Sequence, residues 1–381
     1  MSTHWAELHR QVCFGESGKK IIWQPRIGCW FHDKIFENEP FPAPFTDMSW
    51  VEIYRELNCS ARLYGHFNPC FKPVYPGSIH VYSRELNETD TELVCEMPVG
   101  TLTTITRRTE SSLAKIIHKR EIVTEDDLKL ATWRAQNTTW AWDQKMYDQA
   151  VATVGDLGAA TMYMPRVTVQ DLYINTMGTQ SAIYAVYDWP DTVRAYFRAL
   201  DESHDRMIDV INPSPVEIIN FGDNLHCGTL PPDLFRELVL PSYQARCEKL
   251  HRGGKFISAH WDGDTRTLLP LAHETGLDAI EAITPQPQGD VTLEEMRDKL
   301  GDDMFLLDGI PAIYFNTTFP ESVLTDCVQR LIELFAPRLV LGISDEISST
   351  GDMERVRLVA ALVEEYNAGV DGNTTQGPGN R

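Results

Sequence analysis

Residues 256–264 read FISAHWDGD, a short apolar run that ends in His260 and Asp262. Strand side chains alternate with period two, so these residues share a face. An imidazole beside a carboxylate can exchange a proton near neutral pH or ligate a metal. The same ending recurs along the chain. VEIINFGD ends in Asp223 and leads to Asn224, His226 and Cys227. LDAIEAIT carries Glu281, MFLLDGI carries Asp308, and RLVLGISDE ends in Asp345 and Glu346. The last two are adjacent and point to opposite sides of a strand, so at most one faces a common site. Zinc accepts His, Cys and carboxylate ligands, and a catalytic zinc keeps an open position. His260, Asp262, Glu281 and one of Asp345 and Glu346 could supply that set, with Cys227 the nearby thiol. The same histidine and carboxylates could instead do metal-free acid–base work. A plainer role exists for some: an Asp after a strand often caps a helix or turn, as Asp223, Asp264 and Asp308 could. Cys227 could be ordinary packing.

Such residues need a scaffold that collects strand ends at one rim. From about residue 125 onward, short Ile/Val/Leu-rich runs alternate with helical stretches to the end of the chain. This predicts a parallel sheet covered by helices, and the number of units points to a (β/α)8 TIM-type barrel. A doubly wound sheet is the alternative, but no strand leads into GxGxxG or a Walker loop. Thr292 with Glu295 predicts a capping box at the start of TLEEMRDKLG, and TRTLLPLAHETG reads as a helix. A helix broken near Pro241 is expected in PPDLFRELVLPSYQARCEKLHRG. VYPGSIHVYSREL and TDTELVCEMPVGTLTTITRRT alternate with turn signals between them, so an N-terminal β-rich insertion is expected at about residues 72–108. Residues 1–368 read as one barrel domain, and the polar GVDGNTTQGPGNR (369–381) as a disordered tail.

The chain has 381 residues, net charge −21 and eight cysteines without a CxxC pair. The acidic balance argues against nucleic acid and against acidic membrane surfaces as partners. No apolar run approaches the roughly 20 residues that span a bilayer, and MSTHWAELHRQVCF has no signal-peptide core. A cytoplasmic protein with buried thiols is expected; a homodimer is compatible with the sequence. In IIWQPRIGCWF, Arg26 follows an apolar run and a proline. Burying that charge is costly without an anion, so Arg26 is expected at the barrel mouth.

Several segments resemble the uroporphyrinogen decarboxylase superfamily. These are MPRVTVQDLY, ending in Tyr173; INFGDNLHCGTLPPDLFRELVLPSY; and KFISAHWDGDTRTLLPLAHETGLDAI. The resemblance implies a distorted TIM barrel and two chemistries. One is cofactor-free decarboxylation of a tetrapyrrole or smaller acid, with Arg26 holding a carboxylate and Asp223 or Asp262 handling protons. That branch has a second N-terminal arginine and a Phe-Ser-Asp loop, which are not recognisable here; the comparable stretch reads IYRELNCSARLYG. The other is methyl transfer to or from a corrinoid carried by a partner protein, assisted by zinc on a His-x-Cys pair and a later Cys. Here His260 matches the His, Asp262 replaces the Cys, and Asp345 or Glu346 stands where the last Cys would be. A carboxylate-rich set suits an oxygen substrate such as a methyl ether. The leading expectation is therefore a corrinoid-linked methyltransferase, with zinc on His260, Asp262 and Glu281. His226, Asp308 and Tyr173 are the expected contacts to a small-molecule substrate.

Overall fold

The computed structural model describes residues 4–110 and 115–374. Seven strands form its central sheet: β1 (Ile22–Trp23), β2 (Thr161–Met164), β3 (Ile218–Leu225), β4 (Phe256–Trp261), β5 (Ala279–Glu281), β6 (Phe305–Pro311) and β7 (Leu339–Ser344). Their order is β1-β7-β6-β5-β4-β3-β2, and every pairing is parallel. The first strand pairs with the last, which is barrel rather than open-sheet topology. Residues 59–62 bridge the remaining gap. Ser60 N donates to Trp23 O (3.0 Å) and Ala61 N donates to Leu157 O (2.9 Å), just ahead of β2. Strands β4 to β7 are buried throughout, which explains their unbroken apolar runs.

Helices cover the strands as the alternation predicts. Pro190–Ile211 begins with a proline whose missing N–H costs nothing at a helix start. Thr292 and Glu295 form the capping box that opens Leu293–Leu300. The long helix near Pro241 is two helices, Pro232–Leu238 and Leu240–Arg252, with the break at Val239. The expected helix over 265–276 is only a 3-10 segment, Leu269–Glu274. Pro270 lacks an N–H, and Gly276 with φ +83° turns the chain into β5 soon after.

The β-rich insertion is an antiparallel four-stranded sheet, His80–Glu85, Asp90–Met97, Gly100–Arg107 and Ile116–Lys119. It reaches further along the chain than 108. Beside it, Phe71–Val74 pairs antiparallel with Thr139–Trp142. At the C-terminus, Met353–Thr374 is one helix. It takes in the first six residues of the stretch read as a disordered tail; 375–381 lie outside the described residues. Among the described residues no helix is long and apolar enough to cross a membrane.

Candidate active site

His260 near the end of β4, Glu281 at the end of β5 and Asp308 midway along β6 carry a buried charged cluster. Parallel register sets His260 beside Glu281 on adjacent strands. The β3–β4 register shifts between Ala259 and Trp261, an irregularity that re-aims His260. Its Nδ1 lies 2.9 Å from Glu281 Oε2. Its Nε2 stands 3.6 Å from Asp262 Oδ2, too long for a full hydrogen bond. Burial alone would lower the imidazole. The carboxylates of Asp262 and Glu281, one facing each nitrogen, outweigh it and hold His260 up to about 9. His260 is therefore a cation at neutral pH, with Nδ1–H committed to Glu281 and Nε2–H facing the more open side.

Glu281 is fully buried and its carboxylate is saturated. Oε1 accepts from Arg62 and from Tyr64 OH (3.0 Å). Oε2 accepts from Asn220 Nδ2 (3.1 Å) and pairs with His260. Against the burial that would raise it, Arg62 and His260 hold this carboxyl well below its ordinary range. Asp308 is also fully buried and takes both Arg62 amino groups, Nη1 reaching Oδ2 at 3.1 Å. Its backbone has φ +85°, a left-handed conformation unusual for a non-glycine residue. Burial and the neighbouring Glu281 raise Asp308 to about 6, with Arg62 opposing them.

Arg62 comes from the segment that closes the barrel, 219 residues from Glu281. Sequence reasoning missed it, because CSAR has no strand periodicity and follows a helix. The signal that marks Arg26 was available here too: an arginine after small and apolar residues needs a buried anion.

Arg26 does face the mouth. Its Nε lies 3.7 Å from Glu346 Oε1, and its Nη1 is buried without a hydrogen-bond partner. Arg26, Arg62, Tyr64 and Tyr163 line the polar end of a cavity of about 760 Å³. Tyr64 and Tyr163 stack with centroids 3.8 Å apart. Phe31, Phe41, Met48 and Trp50 form apolar walls. A cavity this size suits a small molecule.

Other expected residues have different places. Asp223 is fully buried, accepting from Val167 N (2.9 Å) and Tyr243 OH (2.5 Å). It ties β3 to the loop after β2 and to a covering helix, and is not free to handle substrate protons. His226 closes its own loop, its ring nitrogens 3.2 Å from Gly228 N and from Thr229 Oγ1. Against its burial, Asp262 is held below its ordinary range chiefly by His260. Tyr173 is buried, its hydroxyl 3.4 Å from Thr229 O. Neither His226 nor Tyr173 lines the cavity.

The expected zinc set does not assemble. Asp345 is exposed. Glu346 accepts from Cys29 N (2.9 Å) and faces Arg26. Cys227 joins no ligand group: among the described residues, no three His, Cys, Asp or Glu side chains stand where they could hold a metal ion. Within the cluster, the oxygens of Glu281 are taken by four donors, and the Arg62 guanidinium sits between Glu281 and Asp308. These residues do not fit a zinc centre. They make instead a buried ion network that meets the cavity through Arg62 and Tyr64, which line it, whereas His260 and Asp262 do not.

Residues 170–366 match the family described as Uroporphyrinogen decarboxylase (URO-D). No curated protein matches the chain. Among solved structures, a methyltransferase from Methanosarcina mazei superposes with a TM-score of 0.56 at 12% identity, over 93% of this chain and 97% of that one. That likeness shows the fold. A B12-independent methionine synthase from Shewanella sp. W3-18-1 gives a TM-score of 0.40 at 10% identity, over 84% and 86% of the two chains.

Proposed function

We propose, on the premise that this chain belongs to the uroporphyrinogen decarboxylase family, that it is a methyltransferase using a proton donor in place of a metal. The observation that carries this is the geometry of His260, with Nδ1 2.9 Å from Glu281 Oε2 and Nε2 3.6 Å from Asp262 Oδ2, two carboxylates that hold the ring up to about 9. The substrate is a small methylated oxygen compound with an anionic end. Arg26, with its buried unpartnered Nη1, takes the anion. The aromatic walls take the body of the molecule.

A corrinoid delivered by a separate protein enters as co-substrate and supplies the electron pair for the new bond to the methyl carbon. The residues of this chain do the rest. The methyl C–O bond breaks, its electron pair stays on oxygen, and His260 Nε2 gives that oxygen a proton. Asp262, whose side chain is about one-third exposed, stabilises the cation and links it to solvent for reprotonation. Glu281 keeps the ring oriented, and Arg62 keeps Glu281 ionised. The similarity to the Methanosarcina methyltransferase supports the fold for such a reaction.

Decarboxylation is the second reading, favoured by Arg26 alone. A carboxylate anchored there could lose CO2, and His260 could protonate the carbon left behind. One experiment separates the two: incubate the protein with methoxylated aromatic acids and chemically reduced cobalamin, and follow methyl transfer by absorbance and CO2 by trapping. The first reading predicts demethylated product without CO2. CO2 release without demethylation would replace it with the second.

A further inference from the structure

We propose that Asn224 is a positioning residue for the reaction: its amide, locked in one orientation by Arg166, holds the Asp262 carboxylate on the Nε2 side of His260. This rests on the proton-donor reading of His260, and one arm of its test needs no catalysis.

The irregularity between β3 and β4 supplies the geometry. Between the pairs Phe221–Ala259 and Leu225–Trp261, β3 sets three residues opposite one of β4. A bulge of this kind bends the strand and re-aims its side chains. Asn224 ends it with φ +54°, a left-handed backbone that asparagine adopts more readily than most residues. Asp262 N donates to Leu225 O (3.1 Å), so the two loops leave the barrel side by side. Asn224 Nδ2 then lies 3.3 Å from Asp262 Oδ2, the same oxygen that stands 3.6 Å from His260 Nε2. The Asp262 side chain is about one-third exposed, so without that amide it turns to water.

An amide holds a carboxylate only with its N–H end, and Arg166 fixes which end that is. A guanidinium can only donate. Arg166 Nη2 lies 3.3 Å from Asn224 Oδ1, so the oxygen end is taken and the N–H end faces Asp262. Arg166 Nη1 in turn reaches Asn175 Oδ1 (3.0 Å), which fixes the arginine on the segment after β2. The row Arg166, Asn224, Asp262, His260 thus ties together the segments after β2, β3 and β4, and sets where negative charge sits beside Nε2.

The test compares wild type with Asn224→Gly, Asn224→Asp, Arg166→Met and Arg166→Lys. Glycine suits the left-handed backbone and deletes only the amide. Aspartate keeps the shape but meets Asp262 with an oxygen. In the first arm, protein labelled with 15N-histidine is observed at pH 6, where the His260 ring carries both protons, with His260→Gln assigning its signals. Both Asn224 variants should move the Nε2 resonance, while Nδ1, on the Glu281 side, stays near its wild-type position. Arg166→Met, which frees the amide to turn, should move the same resonance; Arg166→Lys, which can still donate to the amide oxygen, should not. In the second arm, methyl transfer from a methoxylated aromatic acid to reduced cobalamin, both Asn224 variants should lose about tenfold or more in kcat at unchanged KM. A wild-type Nε2 signal in Asn224→Asp overturns the assignment. So does an equal shift of both ring nitrogens, which would mark a general loosening of the fold. Asn224→Asp decides alone should Asn224→Gly not be recovered. If no protein transfers methyl, the first arm still decides what holds Asp262, and the proposed reaction is judged separately.

Discussion

Replacing Glu281 by glutamine keeps the shape of the side chain and removes one negative charge from the centre of the cluster. Two effects should follow. The first is on stability. His260 is held at about 9 in the fold against an ordinary 6.5, which corresponds to about 3 kcal/mol. Because the folded value is raised, that stabilisation is fully present below pH 6.5 and is lost as pH rises through about 9. Glu281 is one of two carboxylates responsible, so the variant should lose roughly half of this pH-dependent part, about 1–2 kcal/mol. It should also be less stable at every pH in this window by about 3 kcal/mol, because Arg62 loses a buried partner. With about 2.1 cal/mol/K per residue, that lowers Tm by about 4 °C. The second effect is on function: with His260 less basic, the alkaline limb of the activity profile should move to lower pH. Urea unfolding of both proteins at pH 6.5, 7.5 and 9.5 reads the first effect directly. Parallel pH dependence in the two proteins would refute the claim that Glu281 holds the imidazole charged.

Arg26→Gln should raise KM for an anionic substrate at least tenfold while destabilising the fold less than Glu281→Gln in urea unfolding, because among the described residues its ion pair is a long one to Glu346. Asp223→Ala should do the opposite, costing about 1–3 kcal/mol by stranding Tyr243 and Val167 N while the pH profile of activity stays put. Gly342→Ala should destabilise the fold by about 1–3 kcal/mol or more, since the new carbon collides with Asp308, Arg62 and backbone, and denaturant titration would read this. Prolonged dialysis against a chelator should leave activity unchanged in an assay reconstituted with purified corrinoid partner.

The strands were legible in the sequence because Ile/Val/Leu-rich runs buried on both faces leave few other assignments, and because each run ends abruptly in a polar residue. That ending alone points His260, Asp262, Glu281 and Asp308 to one rim. Neighbouring strands then brought His260 and Glu281 into register. The roles were less legible. Asp223 has the same sequence signature as Asp308, but its partners are a tyrosine on a covering helix and a backbone amide, which no spacing along the chain encodes. Asp345 and Glu346 lie beyond the end of β7 rather than alternating on it, and Glu346 turns to Arg26 and Cys29 rather than to His260. Arg62 was hidden because its segment bridges the barrel in an irregular conformation and meets Glu281 only in three dimensions. It is also the residue that turns a plausible ligand set into a saturated ion network.

The central claim is that His260 is a buried cation that donates from Nε2. The direct measurement is an NMR titration of protein labelled with 15N-histidine, with His260→Gln used to assign the signal. The account predicts that at pH 7.5 both ring nitrogens of His260 carry protons, and that the ring titrates near 9. A neutral ring with a single protonated nitrogen at pH 7.5, titrating near the ordinary 6.5, would contradict it.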